Sequence, residues 1–438
     1  MLQNHNTLLA RLEKHGWALA MLAPVLLLFE TGGWAASSQK KAVDPPELPV
    51  LFQGAVQIPV NAANNTIGMF SFDISFVDQT TQTYYLADQS NKAIDVVDAK
   101  ADKFLMQISA TPPFAGVALG PNGVLTANGC IIATDAGDRV VSFTPGGIQI
   151  TNLRISMVAG RADKLAFDPT DRLLLVIITA FPNGPSVGTL IKVNAGCVLT
   201  LDANIPLPGT NGAGQPVWDP GTQRFFVPIP TVDGHGALVR INPLTAMVTT
   251  YPVTSCAPVG LALDPTNNTL LLGCSVVFDD IGNPWSGAGP NTAAPTQQIF
   301  GTNGLLLSVV SGVGGSDEVW YNSGDGHFYT GSSSSPLAPS VVVPGGTAVS
   351  QGAAVLGVID GTSQRLDQLV PTFNVPAVPP MSGPPPGHPA GSAHSVAANA
   401  TNNQVFVPLP GNNAFPGCST GCVAIYTRSD VDLTGTTD

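Results

Sequence analysis

The chain has 438 residues, of which 44% are hydrophobic and only 11% are charged, so it can bury a sizeable core. Its net charge is −12 and its longest basic run is Lys40-Lys41, which argues against nucleic acid or an anionic membrane as a partner and is compatible with a cationic ligand. The 47 glycines and 39 prolines exclude long helices and favour many short strands separated by turns.

The N-terminus has the pattern of a secretory signal. Arg11 and Lys14 precede the apolar run "ALAMLAPVLLLF" (Ala18–Phe29), which small residues follow. This run is shorter than the roughly 20 residues that cross a bilayer, so we expect no membrane span once the signal is cleaved. Residues 1–35 are predicted to be a signal peptide and residues 36–50 a flexible leader. The mature protein is then periplasmic or secreted.

Export permits disulfide bonds, and the chain has six cysteines, an even number. The tight segment "CSTGC" (Cys418–Cys422) predicts a bond between its two ends. Cys256 and Cys274 flank one predicted hairpin and could bridge it, which would leave Cys130 to pair with Cys197. Spacing alone leaves other pairings of these four cysteines open. A zinc site is disfavoured, because no histidine or CxxC pair lies near these cysteines.

A strand, a short turn and a second strand recur along the chain at steps of 42, 48, 51, 45, 58 and 77 residues. A period in the forties with four short strands per unit is typical of a β-propeller. The turns begin with Asp-Pro or with similar turn-forming residues, and the flanking runs are rich in Val, Phe, Tyr and Leu. The seven segments begin at Phe72, Ala115, Asp163, Gln215, Val259, Asp317 and His394. Their turn residues are Asp78, Gly120, Asp168, Asp219, Asp264, Asn322 and Asn399. The sequence therefore predicts an all-β, seven-bladed propeller.

The ends of the chain are predicted to close the ring. The last blade shows only three strands, and "LFQGAVQIPV" (Leu51–Val60) precedes the first blade as an unassigned strand. An open ring would leave unpaired strand edges, so this strand should complete the last blade. The propeller then covers residues 51–428, with a tail at 429–438. The Pro/Gly-rich insertion Val375–Ser392 is interpreted as a surface loop, with a lid over one face as the alternative.

Most of the chain from about Leu51 resembles a known family, and the stretch that begins at Tyr84 carries the resemblance. "YYLADQSNKAIDVVDA" followed by "FLMQISATPPFAGVAL" resembles the YVTN-repeat (YncE-like) propellers of secreted bacterial proteins, within the WD40/YVTN repeat-like superfamily. This resemblance implies an exported seven-bladed propeller with a binding or surface role. A more distant similarity to the regucalcin/gluconolactonase propellers implies a metal-dependent lactonase. Their metal-binding Glu and Asn positions do not match this sequence residue by residue.

Aligning the repeats on the turn residue predicts a polar rim around the central channel. The position five residues before each turn holds Asp73, Ala115, Asp163, Gly214, Val259, Asp317 and His394. The next position adds Lys164, Gln215, Glu318 and Ser395. We expect the side chains of Asp73, Asp163, Asp317 and His394 to converge on one rim, with Asp73 and His394 as neighbours because the ring closes there.

This rim suggests two kinds of function. Asp73, Asp163 and Asp317 offer hard oxygen ligands that suit Ca²⁺ or Mg²⁺, and His394 or Glu318 could act as general base in a metal-dependent hydrolase or lactonase. Alternatively, these residues line a water-filled channel. The sequence has no specific catalytic motif. The favoured interpretation is therefore an exported scaffold that binds a protein, a glycan or a small molecule through one face of the channel.

Overall fold

The computed structural model describes residues 48–155, 160–180, 185–209, 212–279, 282–285, 293–334, 341–342, 348–349, 354–380 and 387–428. The predicted signal peptide, most of the leader and the tail lie outside these ranges. Residues from Leu48 onward form one compact unit. In the described part, the fold is seven four-stranded antiparallel blades and one 3-10 turn, Ala195–Cys197. The all-β, seven-bladed prediction is confirmed.

In blades 1 to 4, the strands follow one another in the chain and in the sheet, from the channel outward. Blade 1 has Ser75–Asp78, Thr83–Asp88, Ala93–Asp98 and Lys103–Ile108. Blade 2 has Val124–Ala127, Cys130–Asp135, Arg139–Phe143 and Gln149–Arg154. Blade 3 has Gly160–Asp168, Leu173–Ala180, Val187–Val193 and Leu199–Pro206. Blade 4 has Val217–Asp219, Arg224–Val232, His235–Ile241 and Val248–Val253.

The remaining blades carry additional strands or a strand from the N-terminus. Blade 5 has Cys256–Asp264, Thr269–Phe278, Thr296–Gly301 and Leu306–Ser311, with Pro284–Trp285 paired to its second strand. Blade 6 has Ser316–Asn322, His327–Ser332, Val355–Asp360 and Arg365–Pro371, and a small hairpin, Val341–Val342 with Ala348–Val349, lies between its second and third strands in sequence. Blade 7 has Ala397–Asn399, Gln404–Leu409, Cys422–Arg428 and, outermost, Val50–Gln57.

The N-terminal strand closes the ring as predicted. Val50 lies opposite Arg428 and Gln57 lies opposite Cys422 in an antiparallel pair. The backbone N–H of Val50 also donates to the Gln368 side chain in blade 6, at 2.7 Å. The first and last strands of the propeller are thereby paired in one blade, and the sheet edge that an open ring would expose is paired.

The repeated turns form because an Asp or Asn side chain ends the innermost strand of six blades. The Asp78 carboxylate accepts the backbone N–H groups of Thr80, at 2.8 Å, and Thr81, at 3.1 Å. Four residues after this acceptor, the chain adopts a left-handed conformation that permits the return strand. This residue is Gln82, Arg172, Gln223, Asn268, Gly326 or Asn403 in the six blades that use this turn.

Blade 2 departs from this pattern, and the predicted register of its first strand is wrong. Gly120 belongs to a small loop, bridged to Gly116, that precedes the strand. The hairpin turn is Asn128-Gly129, with φ values of 50° and 75°. A two-residue turn with both residues at positive φ is the form that Asn-Gly favours. The first strand therefore ends at Ala127, and the residue that belongs in the rim column is Asn122 in place of Ala115.

All three suggested disulfides are present. Cys130–Cys197 joins blade 2 to blade 3, Cys256–Cys274 joins the first two strands of blade 5, and Cys418–Cys422 closes a loop of blade 7. The core is divided into seven clusters of buried apolar side chains. No helix within the described ranges is both long and apolar enough to cross a bilayer.

Candidate functional site: the two ends of the channel

Two cavities of contrasting chemistry, both lined by described residues, lie along the central channel. The polar end, about 430 Å³ in volume, is lined mainly by residues that precede or begin the innermost strands. The apolar end, about 480 Å³, is lined by the remainder of those strands and the turns that follow them. The same seven strands thus present a charged surface at one end and an aromatic surface at the other.

The predicted rim residues come together at the polar end. Asp73, Asp163, Asp317 and His394 line this one cavity, together with Val259 of the same column and with Lys164. The geometric expectation that they converge is therefore met, although they come from blades far apart in sequence. Their role as a functional site remains a prediction.

The carboxylates at the polar end pair with two cationic side chains. Arg161 contacts Asp163 at 2.7 Å and approaches Asp73 at 3.9 Å. The Lys164 ammonium of blade 3 lies 3.4 Å from the Asp317 carboxylate of blade 6, so this pair joins opposite parts of the ring. Lys164 is buried, whereas the Asp317 side chain is 41% exposed to the cavity. A positive charge at Lys164 thus holds a carboxylate that solvent or a ligand can still reach.

Protonation differs sharply among these carboxyl groups. Burial, followed by the charge of Asp163, raises the pKa of Asp73 well above its ordinary value. The position of Asp317 inside the channel alone would raise its pKa, but Lys164 and then His394 outweigh this and lower it. The polar end therefore combines a carboxyl group that favours its neutral form with one that favours its charged form.

Glu318, the other predicted catalytic candidate, is buried beneath the rim. One of its carboxylate oxygens accepts the Ser395 hydroxyl at 2.6 Å, and Oε1 has no partner among the described residues. Burial, with the charge of Asp73 next, raises the pKa of Glu318 well above its usual range. Such a group can hold a proton inside the channel.

His394 is fixed from two sides. Its ring stacks on Phe72 with centroids 5.3 Å apart, and its Nδ1 lies 2.8 Å from the Ser392 carbonyl oxygen. Because a carbonyl accepts only, Nδ1 carries the proton in this arrangement, and Nε2 is the nitrogen that can act on a ligand. His394 therefore has the orientation of a binding or proton-accepting group at the rim.

Gln215 does not join the polar rim. Its Oε1 accepts the backbone N–H groups of Leu261, at 3.3 Å, and Val319, at 3.2 Å, and the residue lines the apolar end. A predicted rim residue thus serves instead to join blade 4 to blades 5 and 6 at the level that separates the two cavities.

Side chains other than the predicted rim residues are close enough together to bind a metal ion. Within the described ranges, the His, Asp and Glu side chains close enough to share one ion are His327, Asp360 and Asp367, away from the rim column. At the rim, Arg161 and Lys164 supply positive charge to the three carboxylates that were expected to hold Ca²⁺ or Mg²⁺. A divalent cation at the rim stays a prediction, and such a cation would share these carboxylates with the two cationic side chains.

Two features of the structure were not predicted from the sequence. Arg161 lies two residues before Asp163 on the same strand, so the strand period of two could have placed it on the same side. His327 was not among the predicted site residues, but it begins a strand and is only 3% exposed, with Nε2 at 3.0 Å from Asp367. Asp367 in turn contacts Arg428, so this second cluster already contains a cation within the chain.

Comparisons with known proteins support the fold alone. No family model matches the chain, and no curated protein matches it. A chain of the crystal structure of the mitotic checkpoint complex aligns with a TM-score of 0.53 and 9% identity, over 93% of this chain and 100% of that chain. The structure of U3-55K aligns with a TM-score of 0.55 and 9% identity, over 81% of this chain and 95% of that one. The chain is thus similar to β-propellers, a fold widely used as a binding scaffold.

Proposed function

We propose that this protein is an exported binding protein that holds a small, positively charged organic ligand at the polar end of its channel. One observation carries the proposal: the carboxyl groups there outnumber the cationic side chains. The carboxyl groups are Asp73, Asp163, Asp317 and Glu318, and the cationic partners are Arg161 and Lys164. A ligand cation would supply the positive charge that lets Asp73 and Glu318 ionise as well.

The dimensions of the cavity agree with a small ligand. Its volume of about 430 Å³ falls within the range of roughly 300–1,000 Å³ that small-molecule sites occupy. The exposed part of Asp317 offers a carboxylate on which an ammonium group can dock. Export is supported by the three disulfides, which form in oxidising compartments. The family resemblance to YVTN-repeat proteins favours the same assignment.

The raised pKa values of Asp73 and Glu318 predict that binding releases protons. A nearby ligand cation favours the ionised form of both groups and lowers their pKa values. Isothermal titration with putrescine in two buffers of different ionisation enthalpy measures this release directly. We expect saturable binding whose apparent enthalpy depends on the buffer.

A matched pair of variants locates the binding. Asp317→Asn removes the accessible carboxylate and should weaken putrescine binding by about tenfold, as expected for the loss of a charge-assisted contact. Asp202→Asn, in an exposed pair with Lys192 on the outer strand of blade 3, serves as the control and should bind as the unmodified protein does. Equal affinity of both variants would refute the polar end as the site.

A metal-dependent hydrolase is the second candidate, and the proximity of His394 to Asp317 favours it. In this hypothesis the carboxylates bind Ca²⁺ or Mg²⁺ and His394 acts as base. Thermal melting with EDTA and with added Ca²⁺, followed by a lactone and ester hydrolysis screen, tests it. Cation-dependent turnover that His394→Ala abolishes would support the hydrolase and contradict the binding-protein proposal. A cation-independent melt and no turnover would eliminate the enzyme.

A further inference from the structure

We infer that the apolar end of the channel is a second binding site, which takes a neutral, ring-containing molecule with one hydrogen-bond acceptor. This cavity of about 480 Å³ is separate from the proposed cation site and lies at the other end of the innermost strands. Its lining includes Phe76, Phe167, Trp218, Trp320 and Tyr321, and no Asp, Glu, Lys or Arg side chain contributes to it among the described residues. The absence of charged lining selects a neutral ligand.

The aromatic rings are held in position before any ligand arrives. Phe76 and Trp320 meet edge to face, with centroids 5.6 Å apart, and Trp218 packs on Phe225 at 4.8 Å. Phe76, Trp218 and Trp320 also pack against the apolar clusters of the core, yet each remains partly exposed at the channel. A rigid apolar surface binds a ring without the entropy cost of ordering its own side chains.

Exposed prolines border the mouth of this cavity and restrict the backbone there. Pro169, Pro220 and Pro265, from the first turns of blades 3, 4 and 5, line the cavity and are exposed. Proline fixes its own backbone torsion, so the turns that border the mouth have restricted freedom. The cavity encloses a volume suited to a small molecule of two or three rings.

Gln215 gives the site its polar contact. Two backbone N–H groups, from Leu261 and Val319, bind its Oε1, and this fixes which way the amide points. Its Nε2 group has no hydrogen-bond partner within the described part of the chain, and the residue is only partly buried. Gln215 aligns in the repeat with Lys164 and Glu318, at the inner boundary of the cavity. The Nε2 group is therefore a donor positioned for a carbonyl or ether oxygen at the inner end of a bound ligand.

Two probes that differ in one group test the assignment. One is 6-propionyl-2-(dimethylamino)naphthalene, whose emission moves to shorter wavelength in apolar surroundings. The other is 2-(dimethylamino)naphthalene, which lacks the carbonyl acceptor. We expect saturable one-to-one binding of both, with the propionyl compound about fivefold tighter because of one neutral hydrogen bond. No binding of either probe would overturn the inference.

Thr126→Trp tests the location of the site. Thr126 is the small residue at the position that Trp218 occupies in blade 4, and it lines the cavity. A tryptophan there should fill the cavity and weaken both probes at least about tenfold, as loss of most of the buried apolar contact requires. Thr250→Trp, the same change at an exposed position on the outer strand of blade 4, is the matched control. Equal weakening in both variants, or in neither, would place the probes elsewhere.

Gln215→Glu tests the Nε2 hydrogen-bond donor. This test remains informative even if the Thr126→Trp variant does not fold. The carboxylate keeps an acceptor for the two backbone N–H groups but removes the Nε2 donor. We expect the affinity ratio of the two probes to fall to about one, because only the propionyl compound uses the donor. An unchanged ratio of about five would show that Gln215 does not contact the ligand and would overturn its assigned role.

Discussion

The two ends of the channel are built from the same strands but differ in what holds them together. At the polar end, Asp163 and Asp317 form partly buried ion pairs with Arg161 and Lys164, respectively. At the apolar end, aromatic side chains pack between blades and need no partner of opposite charge. Because the ring is closed, side chains at the same position of the repeat lie at the same depth around the channel. A propeller can therefore carry independent chemistry at different depths of one channel.

This contrast predicts that the polar end is the more sensitive to a single change. A buried charge that loses its partner is strongly unfavourable, whereas an aromatic side chain that is partly exposed loses only the buried part of its contacts. Three substitutions test the comparison, in order of decreasing expected effect.

Lys164→Met should have the largest effect. It removes the buried cation that faces Asp317 and contributes to the electrostatic environment of Asp163 and Glu318. We expect the free energy of unfolding to fall by about 3 kcal/mol, the lower part of the range for breaking a buried pair, because Asp317 is partly exposed. Chemical denaturation at neutral pH measures the change.

Lys192→Met is the matched control for that prediction. Lys192 contacts Asp202 at 3.0 Å, with side-chain exposures of 54% and 31%. An exposed pair of this kind contributes at most about 1 kcal/mol. If both lysine variants lose the same stability, the ion pairs of the polar end are no more important than a surface pair, and the proposed contrast is wrong.

Phe76→Ala should have an intermediate effect at the apolar end. Phe76 packs against two core clusters and contacts Trp320, but it is partly exposed. We expect a loss of about 2 kcal/mol, below the range for a fully buried phenylalanine. The loss should not diminish in high salt, whereas the exposed part of the Lys164 pair is open to screening.

Leu244→Ala, at a side chain that is 71% exposed, is the corresponding control and should change stability by less than about 0.5 kcal/mol. A loss at Phe76 no larger than this would mean that the aromatic ring contributes little to the fold. The apolar end would then not be a preformed surface.

The sequence allowed the ring and its closure to be predicted because the turns are chemically explicit. Asp78 and its equivalents end a strand by binding turn N–H groups, and such residues can be recognised by type. Blade 2 was misaligned because Gly120-Pro121 also has turn-forming composition. The Asn128-Gly129 dipeptide, a stronger hairpin signal, was present in the same segment.

The site was only partly predictable, for reasons that concern side-chain reach. The repeat register correctly brought Asp73 and Asp163 into one cavity. It gave no sign that Lys164 would extend across the channel to Asp317, or that Gln215 would bind the backbone of other blades. Alignment fixes the depth of a residue along the strand, whereas its partner depends on side-chain length and on what stands opposite.

Glu318→Gln should have the smallest effect, and its sign depends on pH. The folded-state pKa of Glu318 is raised, first by burial, so between the unfolded pKa and the folded pKa only the folded protein holds this proton. Stability of the unmodified protein should therefore fall as pH rises above 4.5, the ordinary pKa of a glutamate. Glutamine stays neutral and can still accept a hydrogen bond from the Ser395 hydroxyl. The stability of the variant therefore does not fall in this way as pH rises. We expect equal stability at pH 4 and a variant more stable by about 1 kcal/mol at pH 7. Glu318→Ala separates packing from protonation, because it should be less stable at pH 4 but show the same relative gain on raising the pH. If stability depends on pH in the same way in the glutamine variant and in the unmodified protein, the folded protein does not hold a proton on Glu318, and the prediction is wrong.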